Sequence, residues 1–270
     1  MTDLSLSPTE LDRYSRHVIM DEVGPEGQAR LLDGSVLCVG AGGLGSPVLA
    51  YLAAAGVGRI GIADDDVVER SNLQRQVVHR DADVGRPKVD SAAEFVAENN
   101  PDVTVERHEC RVDADTVADL VADYDLVVDG SDNFATRYLV NDACVVDETP
   151  FVHGAIYRFE GQATTYLPGG PCYRCVFPQA PEPGTVPDCA TTGVLGVLPG
   201  VVGSIMATEA VKYFVGVGDL LDDRLLVYDA ADMTTDEVPV ARNPDCPVCG
   251  DDPSVRTVAD VSYSDTFAVE

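Results

Sequence analysis

Lysine is almost missing from this chain: Lys88 and Lys212 are the only two in 270 residues, against 16 arginines. The 18 basic residues face 46 Asp and Glu, 32 of them Asp, for a formal net charge of −28. So little positive charge argues against sequence-independent binding of duplex DNA, which relies on basic groups to neutralise phosphates. Small hydrated carboxylates in place of lysines fit a halophilic protein, because a Debye length of about 3 Å at 1 M salt screens the self-repulsion. An acidic protein of dilute cytoplasm is the alternative. Long apolar runs are lacking too. The charge-free stretch Cys189 to Thr208 is broken by Pro199 and by Gly193, Gly196, Gly200 and Gly203, which speaks against a membrane span. No basic, apolar leader opens the chain, so a soluble cytoplasmic protein with no membrane partner is expected. Hydrophobic residues still make up 45%, enough for a globular core and too many for a disordered acidic tail.

What is present alternates between strand and helix patterns. Ser7 is an N-cap candidate with Glu10 three positions on, so the first thirty residues read as helical. Buried strands are expected at Ser35–Val39 and Arg59–Ala63, with a small-residue helix at Ser46–Ala55 between them. Further strands are expected at Val103–Val105 and Leu126–Asp129, and helices at Lys88–Glu98, Asp115–Val121 and Asn133–Val146. This order implies an α/β fold with a doubly wound, mostly parallel sheet. Past Pro150 the texture changes, with paired antiparallel strands at Phe151–Ile156 and Gln162–Leu167, a cysteine-bearing turn, and a proline-rich loop from Phe177 to Gly193. A helix from about Val201 to Val215 and a strand at Leu225–Tyr228 then return to the sheet. One domain over 1–250 is expected, with a nucleotide-binding half (1–150) and a partner-binding half (151–250), followed by a loosely held tail over 251–270.

Gly40, Gly42 and Gly45 satisfy G-x-G-x-x-G between a strand and a helix, where glycine admits a tight turn and the helix N-terminus favours a phosphate. This motif alone fits a dinucleotide or ATP, and an NAD-dependent oxidoreductase is the first candidate it raises. Cys172-x-x-Cys175 and Cys246-x-x-Cys249 lie beside prolines and have the spacing of a tetrahedral zinc site. Four thiolates close the coordination sphere, so this Zn²⁺ is expected to be structural. Redox dithiols or two disulfides are the alternatives, disfavoured by the absence of a thioredoxin-like unit and by a reducing cytosol. Of the other cysteines, Cys38 and Cys144 read as buried packing groups, and Cys110 has no motif around it.

Seven segments occur in one register: Gly40–Gly45, Asp64-Asp-Asp66, Ser71-Asn-Leu-Gln-Arg75, Gly85-Arg-Pro-Lys88, Ser131-Asp-Asn133, Pro171–Cys175 and Asn243–Cys249. From about Asp12 to Gly250 the chain resembles the ubiquitin-like-protein activating enzymes, on the branch of the molybdopterin-synthase and thiamine-biosynthesis adenylyltransferases. The resemblance implies ATP-dependent adenylation of a C-terminal glycine in a small ubiquitin-like protein ending in Gly-Gly, then transfer to a thiol or to sulfur. It implies that Arg75 and Lys88 contact the phosphates, that Asp132 holds Mg²⁺, that Asp64 accepts from the ribose and that Asn72 lines the pocket. Gly43, Ser71, Leu73, Gln74 and Asn133 complete the implied nucleotide set. Arg16, in Arg13-Tyr-Ser-Arg16, would reach the nucleotide of a neighbouring subunit, which implies a homodimer. Cys189, in Pro187-Asp-Cys-Ala-Thr-Thr-Gly193, would carry the thioester or persulfide.

Residue by residue, plainer readings remain: Arg75 and Arg16 as solvated surface groups, Asp132 as a helix cap, and Cys189 as an incidental loop cysteine. No sulfur-donating domain follows Gly250, so a separate sulfur donor is expected. An ATP-dependent dehydratase acting on a tRNA base is the alternative within the superfamily, weighed down by the zinc cysteines and the acidic surface. A noncatalytic scaffold would leave Lys88 and Asp132 without a purpose.

Overall fold

A computed structural model describes residues 6–179 and 193–263. The short helices α1 (Pro8–Arg13) and α2 (Ser15–Val18) precede α3 (Gly24–Asp33). The Ser7–Glu10 capping box forms as expected: Ser7 Oγ accepts from the Glu10 N–H, and the Glu10 carboxylate accepts from the Ser7 N–H. Then come β1 (Ser35–Val39), α4 (Gly45–Ala55), β2 (Arg59–Ala63), α5 (Lys88–Asn99), β3 (Thr104–His108), α6 (Val117–Ala122), β4 (Leu126–Asp129) and α7 (Phe134–Asp147). The second half supplies β5 (Phe151–Tyr157), β6 (Glu160–Tyr166), α8 (Tyr173–Val176), α9 (Leu198–Val215), β7 (Arg224–Asp229) and β8 (Thr234–Pro239).

All eight strands join one sheet in the order β3-β2-β1-β4-β5-β6-β7-β8. Strands β1 to β5 pair in parallel, and the β5–β6, β6–β7 and β7–β8 pairs are antiparallel. Along β1 successive side chains enter opposite cores. Val36 and Cys38 join the face covered by α4, α5 and α9, whereas Leu37 and Val39 join the face under α6, α7 and α8. A strand buried on both sides reads as an unbroken apolar run, as Val36–Val39 does behind Ser35. The register aligns Ala63, Val39, Asp129 and His153 as one row across four strands. The loops leaving β1, β2 and β4 therefore emerge side by side.

Three differences from the sequence reading have local causes. Helix α9 begins at Leu198 instead of near Val201, because Pro199 falls in its first turn, where a missing N–H does no harm. Strand β8 was not expected: every residue of Thr-Thr-Asp-Glu-Val-Pro is exposed, so no alternation marked it. The segment after Gly250 is not a loose tail as far as Tyr263. Val255 and Val258 are buried, and the Tyr263 hydroxyl donates to Asp142 Oδ2 at 2.6 Å. Among the described residues, no helix is long and apolar enough to cross a membrane.

Candidate active site and metal centre

In this sheet β2 and β3 lie to one side of β1, and β4 and β5 to the other, so the strand order reverses between β1 and β4. A crevice outside the carboxyl ends of the strands at such a reversal is the general ligand position of open α/β sheets. Here it is walled by the glycine loop after β1 and the loop after β4. Gly40 has φ +90°, and a Cβ on Gly45 would lie 1.9 Å from the Gly40 carbonyl oxygen, so neither position accepts another residue without strain. The two loops touch: a Cβ on Gly130 would sit 3.3 Å from the Gly45 nitrogen. Helix α4 starts here without a side-chain cap, leaving its N-terminal field available to an anion.

Asp64 follows β2 and is fastened to the glycine loop. Its Oδ2 accepts from the Ala41 N–H at 2.8 Å and its Oδ1 from the Asp66 N–H at 2.9 Å. Burial pushes its carboxyl above the usual range, opposed by the charge of Lys88 and by these two bonds. Lys88 opens α5 with its side chain buried and its Nζ 2.6 Å from Asp66 Oδ2. Carboxylate oxygens of Asp64, Asp65 and Asp66 lie within 4.8 Å of one another beside it. Arg75 packs against the glycine loop from the chain after the Arg70–Asn72 turn, since the nearest atoms to a Cβ on Gly43 include Arg75 Cδ at 3.6 Å and Pro199 Cβ at 3.3 Å. Its Nη1 donates to Ser71 O at 3.3 Å, which holds the guanidinium over the turn.

Asp132 is exposed, and among the described residues its carboxylate has no hydrogen-bond or ion-pair partner. The cap of α7 is its neighbour: Asn133 Oδ1 accepts from the Thr136 N–H at 2.8 Å. The alternative reading of Asp132 as the cap is thereby removed. Asn133, placed in the nucleotide set by the resemblance, has its oxygen committed to the helix. Asn72 is similarly engaged, accepting from the Glu69 N–H at 3.1 Å. Ser71 donates to Glu69 Oε2 at 3.1 Å. Gln74 is exposed and backs onto Gly196, with Leu73 partly buried beside it.

Arg16 is not brought to this crevice. Its neighbour Tyr14 packs under Gly56, at the far end of α4 from the glycine loop, and 11 helical residues span about 16 Å. Arg16 is exposed and has no partner among the described residues, with Ile19 and Met20 exposed close by. Cys189 lies outside the described residues.

Three residues that the sequence did not single out lie beneath the site. His79 is buried beneath the glycine loop, with Nε2 2.9 Å from Ala41 O and Nδ1 2.9 Å from Ser91 Oγ. A carbonyl only accepts, so the proton resides on Nε2 and the Ser91 hydroxyl donates to Nδ1. Burial and then the charge of Lys88 lower its pKa, against the pull of the Ala41 bond, Asp64 and Asp83. Asp129, wholly buried at the end of β4, is paired with His153. Burial acts to raise its pKa, but the His153 and Ser131 hydrogen bonds outweigh it and the carboxyl is held below its usual range. Both histidines are lone residues without spacing, so the sequence held no signal for them.

The four sulfurs of Cys172, Cys175, Cys246 and Cys249 all lie within 4.8 Å of one another. Cys172 and Cys246 are 3.6 Å apart, and Cys175 and Cys249 3.3 Å. Bonds of about 2.3 Å to a tetrahedral zinc ion place sulfurs about 3.8 Å apart, so the donor set fits that metal. The Asn243 N–H donates to Cys175 Sγ at 3.3 Å, and Val145, Val248 and Val255 pack around the cluster. Helix α7 runs from the Asp132 loop towards this knuckle over 14 residues, about 21 Å. A metal there is too remote to touch a ligand in the crevice, which agrees with a structural role.

Residues 14–248 match the ThiF family. The SAMP-activating enzyme E1 of Haloferax volcanii is 65% identical over 266 residues, covering 98% of both chains. The sulfur carrier protein adenylyltransferase of Thermus thermophilus is 54% identical over 257 residues, 93% of this chain and 95% of that one. Among solved structures, E. coli MccB with ATP superposes with a TM-score of 0.77 at 24% identity, over 88% of this chain and 74% of MccB. That last likeness is one of fold.

Proposed function

This chain belongs to the ThiF family, and from that premise we propose that it is an adenylyltransferase which activates the C-terminal glycine of a small ubiquitin-like protein with ATP. This reading is supported by Arg75 against the glycine loop, by the buried Lys88 paired with Asp66, and by Asp132, without a partner among the described residues, on the adjoining loop at the strand-order reversal. The C-terminal carboxylate attacks the α-phosphorus of ATP; a new P–O bond forms, the α–β bridging P–O bond breaks, and pyrophosphate leaves with the electron pair. Positioned cations are the main lever on such a transfer. Lys88 and Arg75 supply two of them, and the N-terminus of α4 faces the phosphates. Asp132 offers a hard carboxylate oxygen, free among the described residues, the donor that Mg²⁺ prefers. Mg²⁺ bound there would neutralise charge on the phosphates. Asp64 faces the ribose with whatever acceptor capacity its two backbone bonds leave.

The mixed anhydride formed is then open to a thiolate, with AMP as leaving group. We assign that thiolate to Cys189, and sulfur transfer to a separate sulfur donor acting on the same adenylate. The zinc knuckle serves the fold. Residues 1–250 act as one adenylyltransferase domain in the cytoplasm, and the enzyme is a homodimer in which Arg16 completes the partner's nucleotide site. Supporting this are the exposure of Arg16 and its separation from its own crevice. An NAD-dependent hydride transfer would leave Lys88, Arg75 and Asp132 idle. The test is exchange of labelled pyrophosphate into ATP, expected only when a ubiquitin-like protein ending in Gly-Gly is present. Exchange independent of such a protein, or NAD bound in preference to ATP, would refute the assignment.

A further inference from the structure

The loop bearing Asp132 leaves β4 at Asp129, a carboxylate wholly buried in the sheet. Both of its oxygens are used. Oδ1 accepts from the Ser131 N–H at 3.0 Å, and Oδ2 from Nδ1 of His153 at 2.9 Å. His153 stands opposite Asp129 on β5, itself wholly buried, and Tyr173 closes against its ring edge-on with centroids 4.9 Å apart. With its proton on Nδ1, the imidazole leaves Nε2 buried and without a partner among the described residues. Arg137, on the first turn of α7, takes the other side of Ser131, donating from Nε and Nη2 to Ser131 O at 3.3 and 3.2 Å. Ser131 is thus held at both its N–H and its carbonyl. The next residue, Asp132, receives its place from that grip, because its own side chain is tied to nothing described.

Packing alone does not account for this arrangement. Phe151 and Val127 fill neighbouring positions on the same face with apolar groups. A buried carboxylate–imidazole pair with an orphaned ring nitrogen is a less favourable filling than such groups. His79 offers the contrast, since both of its nitrogens are partnered. What the pair provides that apolar residues cannot is an acceptor fixed beneath the Ser131 N–H.

We propose that His153 is a positioning residue of the adenylation site: its Nδ1–H holds Asp129, Asp129 holds Ser131, and Ser131 sets where Asp132 presents its carboxylate to the nucleotide-bound metal. The claim rests on the reading of Asp132 given above. It requires a donor at Nδ1 and not merely a ring. His153→Phe keeps the ring and removes the donor, whereas His153→Asn restores a donor through its amide. The full chain is assayed for Mn²⁺ binding by electron paramagnetic resonance in the presence of a non-hydrolysable ATP analogue. Pyrophosphate exchange is measured alongside, and both assays run well below the melting temperature of each variant. His153→Phe is expected to weaken Mn²⁺ binding and to lower kcat each by about tenfold, with little change in KM for ATP. His153→Asn is expected to return both to within about threefold of the unmodified protein. His153→Ala takes the place of the Phe variant should that one not fold. Unchanged Mn²⁺ binding in the donorless variant, or equal impairment in His153→Asn, overturns the proposal. Asp132→Ala separates the two claims. If it binds Mn²⁺ normally, the reading of Asp132 fails and takes the proposal with it. If it loses the metal while His153→Phe keeps it, the positioning claim alone fails.

Discussion

Nζ of Lys88 lies 2.6 Å from Oδ2 of Asp66, yet the two side chains sit in different surroundings, the lysine 7% exposed and the aspartate 67%. The cation belongs to the interior of the site and its partner to the solvent. On the proposed function, an incoming phosphate would displace a solvated carboxylate and meet a charge already fixed in place. Lys88→Ala is expected to lower the exchange of pyrophosphate into ATP by about 10²–10³, the range for removing one electrostatic contact to a developing negative charge. Asp66→Asn, which removes an exposed ion-pair partner worth about 1 kcal/mol or less, should stay within about fivefold of the unmodified protein. Equal losses in the two variants would contradict the separation of roles.

His79 predicts a pH effect through the glycine loop. Its folded pKa lies below its ordinary 6.5, so the unfolded chain takes up the proton at a higher pH than the folded one. The stability it contributes is complete above about pH 6.5 and is lost as pH falls through the folded value. At pH 7.5, His79→Ala should lower stability by about 2–3 kcal/mol through two lost hydrogen bonds and a cavity, and should raise KM for ATP. Denaturant titrations from pH 7.5 downwards should show the gap between the two proteins narrowing below about 6.5. A gap that stays constant with pH would place the proton elsewhere.

The parts of this architecture that recur in a pattern could be read from the sequence. The strand at Ser35–Val39 declared itself by the apolar run Val36–Val39, the glycine loop by its spacing, and the four-cysteine cluster by two C-x₂-C pairs that the fold brings together across 70 intervening residues. What escaped was relational. Asp129 and His153 are separated by 23 residues and meet only because β4 and β5 pair in that register. His79 reaches Ala41 across the glycine loop in the same way. Strand β8 carries no apolar face, so its pairing with β7 rests on backbone hydrogen bonds to which side-chain periodicity is blind. The packed segment as far as Tyr263 was missed because single apolar residues, Val255 and Val258, do the anchoring.

Metal analysis tests the knuckle. About one zinc per chain is expected, and Cys175→Ser or Cys249→Ser should release it and lower the melting temperature. Because α7 separates the knuckle from the crevice by about 21 Å, exchange activity at a temperature where the variant stays folded should fall far less than in Lys88→Ala. Zinc-free protein with all four thiols open to alkylation in the native state would count against the site.

Salt dependence follows from the charge of −28. Below a few tenths molar the Debye length exceeds about 5 Å, and unscreened carboxylates should loosen the fold, the proposed dimer or both. Melting temperature and sedimentation are the measurements, and both should rise with KCl towards multimolar concentrations. The same behaviour with a neutral osmolyte in place of salt would show that screening is not the cause, and full activity in dilute buffer would remove the halophilic reading.

Chemistry divides the reaction at the cysteine. Adenylation needs cations around a phosphate and no thiol, whereas covalent capture needs a thiolate that can reach the adenylate carbonyl. Among the described residues the other thiols are poorly suited to the task. Burial pushes the Cys38 thiol up to about 12 and holds the Cys144 thiol well above its usual range. Cys110 is raised by burial and by the charges of Asp113 and Asp65, and the remaining four cysteines form the knuckle. Cys189→Ser should therefore keep pyrophosphate exchange while losing any thiol-sensitive adduct with the small protein on a non-reducing gel. Conjugation that depends on the adduct should fail with it, and sulfur transfer should survive if the donor attacks the adenylate directly. An adduct of normal yield in Cys189→Ser, or one mapped to Cys110, would place the nucleophile elsewhere.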